Sequence, residues 1–405
     1  MKKSHKHKDV QTKATQTDIE ATMPVIFYMG NDGDDDSDYV PKKRTKKTEY
    51  CFKEDEDYFK KLKMDKKKQI RALEKEIETH NKSSSIPLRF KILESNMDIS
   101  LKALAITKLD HLNNFDPSSG EYYKTFTYIE NMCKLPIGKF KELSIKPDIS
   151  GFLENTQKKL DEKVYGHHDA KQHIIRLLAK WISNPNGAGL VIGIQGNPGC
   201  GKTLLCKDGI CELLGLPFGF VGLGGASDGS FLVGHSFTYE SSRWGIIADI
   251  LMKAGCSNPI LYFDELDKIS TTRHGEEIMN ILIHLTDGVQ NSRFHDKYFA
   301  DVNLDLSRCL IVFSYNNEDL INPILKDRMV TVHTKGYVIK DKLHIAKFHM
   351  IPEILKNFGF NNSDLGFTDE ILTYIIGKCQ EEEGVRNFRR GLEEIESFEF
   401  VATVK

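Results

Sequence analysis

The sequence is poor in the features that would assign it to a membrane, a disulfide scaffold or a polyanion surface. No apolar run reaches the length of a membrane span, and no signal-peptide core opens the chain. The expectation is a soluble, unsecreted, intracellular protein of cytoplasm or nucleus. Eight cysteines are present, but no two make a C-x-x-C pair. They read as reduced core or surface thiols. Neither sign of charge dominates. Lys and Arg number 56 against 58 Asp and Glu, for a formal net charge of -2. That balance gives no global argument for nucleic-acid binding. No internal repeat is visible. What remains, over 405 residues, is room for two or three domains.

Residues 1–50 hold few apolar side chains, an acidic block at 32–38 and the basic block Lys42-Lys43-Arg44-Thr45-Lys46-Lys47. Such a stretch cannot bury enough surface to offset its ordering entropy, so it reads as a disordered charged tail. After Pro41, the basic block has the look of a nuclear-localisation signal or an anion-binding tether. A solvated charge run fits the same residues equally well. Residues 51–150 read as an all-helical region. Phe59, Leu62, Ile70, Leu73 and Ile77 recur at helical spacing, which predicts a long amphipathic helix of coiled-coil type ending at Ser83-Ser84-Ser85 and Pro87. Helical periodicity runs on from Phe90 to Leu112. Asp116-Pro117-Ser118-Ser119-Gly120 breaks it, and a further helix is expected over 122–132.

The densest chemical signal is Gly196-Asn197-Pro198-Gly199-Cys200-Gly201-Lys202-Thr203, which reads G-x-x-x-x-G-K-T. The apolar run 190–194 before it reads as a buried parallel strand, and 204–214 after it reads as a helix. Strand, loop and helix are the context a phosphate-binding loop needs. The glycines let the backbone curl so that N–H groups converge, and the helix N-terminus favours a polyanion. Lys202 then serves the β- and γ-phosphates, and the Thr203 hydroxyl can ligate Mg²⁺. Further on, the apolar run 260–263 ends in Asp264-Glu265. Asp264 can hold Mg²⁺, mostly through water, and Glu265 can orient and deprotonate an attacking water. The run 310–313 ends in Ser314-Tyr315-Asn316, which sets an amide at a strand tip. Runs 218–223 and 329–333 complete five expected strands. Alternating strands and helices predict an α/β fold with a parallel sheet covered on both faces and its site at the strands' carboxyl ends. From Gly336-Tyr337 onward the pattern is helical, over 342–350, 352–358, 368–379 and 386–398.

These motifs lie in an order that resembles the ATPase part of Lon proteases, a branch of the AAA+ ATPases. The resemblance runs from Tyr58 to the end of the chain. Leu135-Pro136-Ile137-Gly138-Lys139-Phe140 is similar to the L-P-W-x-K-Y segment, with Ile137 for Trp. Tyr165-Gly166 matches the adenine-side Y-G. Gly224-Gly225-Ala226-Ser227-Asp228, Gly234-His235, Asp264-Glu265-Leu266-Asp267-Lys268, Asp327-Arg328-Met329, Gly336-Tyr337 and Gly384-Val385-Arg386-Asn387 continue the series. The resemblance implies an AAA+ P-loop sheet at 151–334, a small helical lid at 335–405, and ATP with Mg²⁺ as cofactors. It implies Asn316 as sensor 1, Arg328 as an arginine finger acting on the neighbouring subunit, and Arg386 as sensor 2. A finger acting in trans implies a homo-hexameric ring. Tyr239 falls where the family places the pore aromatic that grips a protein substrate.

Departures qualify these expectations. Glu240-Ser241 follows Tyr239 where the family has an aliphatic residue and Gly, which weakens the grip on apolar chain. Trp244 either substitutes for that grip or is packed. Ser314-Tyr315 replaces the usual small pair before Asn316. The chain reaches Lys405 without the Ser–Lys protease domain, so the expectation is an unfolding or remodelling ATPase with no peptidase of its own. Two alternatives stand beside it. One is the ATPase subunit of a protease whose peptidase is a separate chain. The other is a nucleic-acid-associated ATPase or scaffold, supported by the basic block at 42–47 and the Lys-rich helix at 60–68.

Overall fold

The computed structural model describes residues 53–82, 86–143, 149–184, 189–226, 228–358 and 367–404. The expected tail 1–50, its basic block and the Ser83-Ser84-Ser85 break lie outside the described residues. The chain divides between Lys82 and Ser83 into two units.

The first unit holds helices α1 (Lys53–Lys61) and α2 (Met64–Lys82). The single long helix expected here is therefore interrupted at 62–63, where the Leu62 N–H donates to Phe59 O. Lys67 and Arg71 stand over the Phe59 ring, at 5.8 and 5.4 Å. Leu73 and Ile77 of the apolar seam are exposed in this unit.

The second unit opens with α3 (Leu88–Glu94), α4 (Ile99–Leu112) and α5 (Gly120–Lys134). The continuous periodicity of 90–112 thus becomes two helices. Asp98 ends the run by capping α4 through the Leu101 N–H, and Ser119 caps α5 in the same way at Tyr122. Helices α6 (Ile149–Lys163) and α7 (His168–Ser183) lead to the sheet.

The sheet contains β1 (Val191–Gln195), β2 (Phe218–Gly222), β3 (Ile260–Asp264), β6 (Leu310–Tyr315) and β7 (Val330–His333). Their order is β2-β3-β6-β1-β7, with every pairing parallel. All five fall where strands were expected from the sequence. A short antiparallel pair, β4 (Phe294–His295) and β5 (Asn303–Leu304), precedes β6 and was not expected.

Period-two alternation sorts the strand residues onto two faces. Ile192, Ile194, Ile260, Tyr262, Leu310, Val312 and Val332 pack with α7 and the helix after β1. That helix, α8, runs through three abutting pieces, Lys202–Leu204, Leu205–Cys211 and Glu212–Leu214, of which the middle one is a π-turn stretch. Leu261, Phe263, Ile311, Phe313 and Tyr315 face the other way. They share a core with α9 (Ser230–Val233), α10 (Ile246–Ala254), α11 (Arg273–Thr286) and helices α3 to α5. After α12 (Pro323–Arg328) and β7, a third core belongs to the lid.

The lid's first helix, α13, is continuous through Ile339–Ile345, Ala346–Met350 and Ile351–Phe358, where two helices were expected. Its middle piece is again a π stretch. Pro352 brings no N–H, and the wider turn just before it accommodates the lost donor without ending the helix. Helices α14 (Asp369–Lys378) and α15 (Arg386–Val404) complete the lid. Among the described residues, no helix is long and apolar enough to cross a membrane.

Candidate active site

The carboxyl ends of β1, β3 and β6 open into one cavity of about 960 Å³, closed on its far side by α13 and the start of α15. The topology dictates the place, because the strand order reverses around β1 and leaves a crevice there. Of the residues proposed from the sequence, Tyr165, Pro198, Gly199, Cys200, Gly201, Lys202, Thr203, Asp264, Glu265, Asn316 and Arg386 line it. Gly166, Gly196 and Asn197 are not in its lining, though the Gly196 and Asn197 carbonyls accept from Lys202. Arg328 and Tyr239 lie elsewhere.

The loop of residues 196–203 is curled by Gly199 and Gly201, at φ +79° and +81°. A side chain would be strained at either position, and crowded as well at Gly199. A Cβ at Gly196 would fall 1.9 Å from Thr334 Oγ1, and one at Gly199 would fall 3.0 Å from the Arg386 nitrogen. The loop is therefore clamped between β7's end and the lid. Val385 N–H donates to Gly199 O at 3.3 Å, and Asn197 Nδ2 donates to Glu383 Oε2.

Lys202 is held by three acceptors: Gly196 O at 2.6 Å, Asn197 O at 3.1 Å and Asn316 Oδ1 at 2.8 Å. An ammonium has three donors, so the protein satisfies all of them. Burial lowers its pKa below the usual lysine value, against the attraction of Cys200, Asp264 and Asp267. An incoming anion would exchange for one of these acceptors and restore the charge balance. The glycine curl, the desolvated ammonium and the start of α8 fit a polyphosphate, and Thr203 with Asp264 supplies oxygen donors of the kind Mg²⁺ takes.

Glu265 has φ +59°, a left-handed conformation uncommon for a residue with a side chain. It packs against Gly224, where a Cβ would meet Glu265 Oε2 at 2.0 Å. Strain of about 1–2 kcal/mol is thus stored at the strand tip, aiming an exposed carboxylate along the cavity wall. Asp264 accepts from Ser314 Oγ and from the Glu265 N–H at 3.1 Å. Asp267 is buried, and its Oδ2 accepts from the Asn317 N–H at 3.3 Å.

The other end of the cavity is aromatic. Tyr165 stacks on His344 at 4.3 Å, and His344 lies 4.5 Å from Phe348. Ile345, Phe348, His349, Met350 and Tyr337 line this end with Tyr165. His167, at φ +52°, places Nε2 2.9 Å from Cys200 O and 2.8 Å from Tyr337 Oη. It ties the loop to the linker leading into the lid. The sequence pointed to Tyr165-Gly166 and to the Gly336-Tyr337 block, but not to a place at the site for His167, Tyr337 or the α13 aromatics. The available signal was the Gly166-His167 turn beside the Y-G pair.

Two expected residues sit outside the cavity of their own chain. Arg328 donates to Ile283 O and, at 3.0 Å, to Asp287 Oδ2 at the end of α11. Tyr239 is 67% exposed on the 236–244 loop. Beneath it Phe237 packs on Tyr128 at 4.7 Å and on Tyr298 at 5.7 Å. Trp244 lies edge-on to Tyr298 at 5.7 Å and donates from Nε1 to Asp249 Oδ1 at 3.2 Å. Of its two readings, packing is the one observed. Asp296 is fully buried beside this cluster and accepts from the Gly245, Tyr298 and Phe299 N–H groups. Burial pushes its carboxyl up to about 6.

Residues 192–337 match the model for the ATPase family associated with various cellular activities. The chain carries an AAA ATPase domain. The domain and its flanks are similar to the corresponding part of Lon proteases. A Lon protease homolog of Acanthamoeba polyphaga mimivirus is 40% identical over 320 residues, 76% of this chain and 31% of that protein. Lon protease 2 of Bdellovibrio bacteriovorus is 33% identical over 326 residues, 80% of this chain and 40% of that protein. The chain therefore spans about a third to two fifths of the curated relatives it matches. A solved chain of the S. cerevisiae Hsp104:casein complex has 18% identity and a TM-score of 0.49, covering 60% of this chain and 46% of that one. A domain of this family implies nucleotide binding.

Proposed function

We propose that this chain binds Mg-ATP in the cavity between sheet and lid and hydrolyses its β–γ bond within a homo-hexameric ring that unfolds or remodels a protein. The domains are read as a body over 151–334 and a lid over 335–405, with the helical region 51–150 before them. The observation that carries the proposal is the convergence on one cavity of Lys202, Thr203, Asp264, Glu265 and Asn316 from three strand tips and Arg386 from the lid.

Each side chain has a task its chemistry suits. The 196–203 backbone and Lys202 bind the phosphates. Thr203 and Asp264 hold the metal, which when bound would neutralise charge on the phosphates. Glu265 orients the attacking water and takes its proton. Asn316, already on Lys202, fixes the ammonium and senses the terminal phosphate. Arg386 closes from the lid. Arg328 is anchored on Asp287 away from its own cavity, which supports a role on a neighbour's nucleotide. Tyr165 and Phe348 receive the base. Tyr239 stands free to press on an extended chain in the ring's pore.

The test is electron microscopy of the full chain carrying Glu265→Gln, with ATP, beside an ATPase assay of the unaltered chain. Rings with occupied sites and phosphate release only by the unaltered chain are expected. A chain that stays monomeric and inert with Mg²⁺ and ATP would refute the proposal.

A further inference from the structure

The backbone ladder between β1 and β6 stops at the Gln195–Tyr315 pair. Just past it, the Gly196 N–H donates to Tyr315 O at 3.2 Å. The peptide joining Asn316 to Asn317 lies beyond that bond, in the bend at the tip of β6. Both polar groups of this peptide need partners. Two side chains supply them. Gln195 Nε2 donates to Asn316 O at 3.0 Å, and the Asn317 N–H donates to Asp267 Oδ2 at 3.3 Å. The two come from different strand tips: Gln195 ends β1, and Asp267 follows the end of β3.

Both side chains are themselves fixed. A carbonyl only accepts, so Gln195 must present its amide nitrogen to Asn316, and its Oε1 is left 3.2 Å from His333 Nδ1 at the end of β7. Asp267 sits on the turn Leu266–Lys268 with its side chain 1% exposed, and it lines the cavity. Lys268 Nζ lies 3.6 Å from Oδ2, while Oδ1 is buried and meets no hydrogen-bond donor among the described residues. Burying a carboxylate oxygen without a donor is costly. An apolar side chain in its place would avoid that cost but leave the Asn317 N–H unpartnered. The Asp267 charge also attracts Lys202, against the effect of burial.

The 316–317 peptide sets the ψ angle of Asn316, and backbone angles decide which side-chain rotamers are open. Asn316 Oδ1 accepts from Lys202 at 2.8 Å. A peptide plane held at its oxygen and at its N–H cannot turn without losing two hydrogen bonds. We infer that Asp267 and Gln195 clamp this peptide plane and thereby aim Asn316 at Lys202 and the terminal phosphate, which makes both of them positioning residues. The clamp rests on the nucleotide reading above. It gives a place in the site to Asp267, a carboxylate that the phosphate chemistry leaves without a task.

The test uses the full chain and reads binding, not turnover. ADP and AMP-PNP, a triphosphate that resists hydrolysis, are titrated calorimetrically with Mg²⁺ present. In Asp267→Ala the preference for AMP-PNP over ADP falls about five- to tenfold, the weight of one hydrogen bond. Asp267→Asn keeps an acceptor for the Asn317 N–H without the charge, and holds the preference within about twofold. In an Asn316→Ala background, Asp267→Ala moves the preference by less than about twofold, because the side chain it aims is gone. An unchanged preference in Asp267→Ala overturns the clamp. So does an equal loss for both nucleotides, which would mark Asp267 as a prop for the fold. A loss in Asp267→Asn as large as in Asp267→Ala assigns the effect to charge on Lys202 and overturns the clamp too, as does an undiminished loss in the Asn316→Ala background. If Asp267→Ala fails to fold, Gln195→Met removes the other pole and is compared in the same way, between the two nucleotides and in the Asn316→Ala background. Failure of the unaltered chain to bind either nucleotide would overturn the proposed function first, before any variant is read.

Discussion

The two ends of the cavity are built by different physics. At the sheet end the contacts that hold the site are mostly directional hydrogen bonds to backbone or to a charged group: Lys202 to three acceptors, Ser314 to Asp264, the Gly196 N–H to Tyr315 O, and Thr334 to Gln195 O beside the loop. At the lid end the contacts are ring faces, Tyr165 on His344 and His344 beside Phe348. Hydrogen bonds to ionised groups are strong and intolerant of displacement. Stacking is worth about 0.5–1.5 kcal/mol and tolerates sliding. The sheet end should therefore act as an all-or-none switch and the lid end as a graded selector.

Substitutions at the two ends can break that contrast. Lys202→Ala should abolish both triphosphate binding and turnover, read by calorimetry and phosphate release. Detectable binding near the unaltered affinity would mean that the loop backbone alone suffices. Arg328→Ala should lower turnover by about 10³-fold while leaving ATP affinity of the isolated subunit intact. Mixing it with Lys202→Ala subunits should restore part of the activity, since each supplies a different half of the site. No recovery at any ratio counts against action in trans. Glu265→Gln should retain binding and lose at least about 10²–10³-fold in turnover, which leaves no phosphate release above background. At the lid end, Phe348→Ala and Tyr165→Ala should each weaken ATP by only about two- to tenfold. Their effect should differ between ATP and pyrimidine triphosphates, whereas Lys202→Ala should strike all bases alike. A base-independent loss in the stacking variants would erase the distinction.

The same contrast explains what could be read from the sequence. The sheet was legible because β1, β3 and β6 are apolar runs that each lead into a polar signature. Lys202, Asp264 and Asn316 were found because strand ends are local features that the sheet then gathers. The lid end was legible only through Tyr165 and Arg386. His344 and Phe348 follow α13's own helical spacing, and their meeting with Tyr165 joins residues far apart in sequence. The task of Asp267 escaped for another reason. Within the block 264–268 it counts as one more charge, and only the fold reveals that it meets the Asn317 N–H. The continuity of α13 through Pro352 was hidden because a π turn leaves no mark in hydrophobic periodicity.

Gly384 carries the last consequence. A single added methyl there would strike Pro198 O at 2.1 Å, so the chain entering α15 and the phosphate loop run in bare backbone contact. Swinging the C-terminal bundle outward means peeling one peptide strand off another. On the proposed function, departure of spent nucleotide and rotation of the bundle would be a single movement with one barrier, set by when that seam parts.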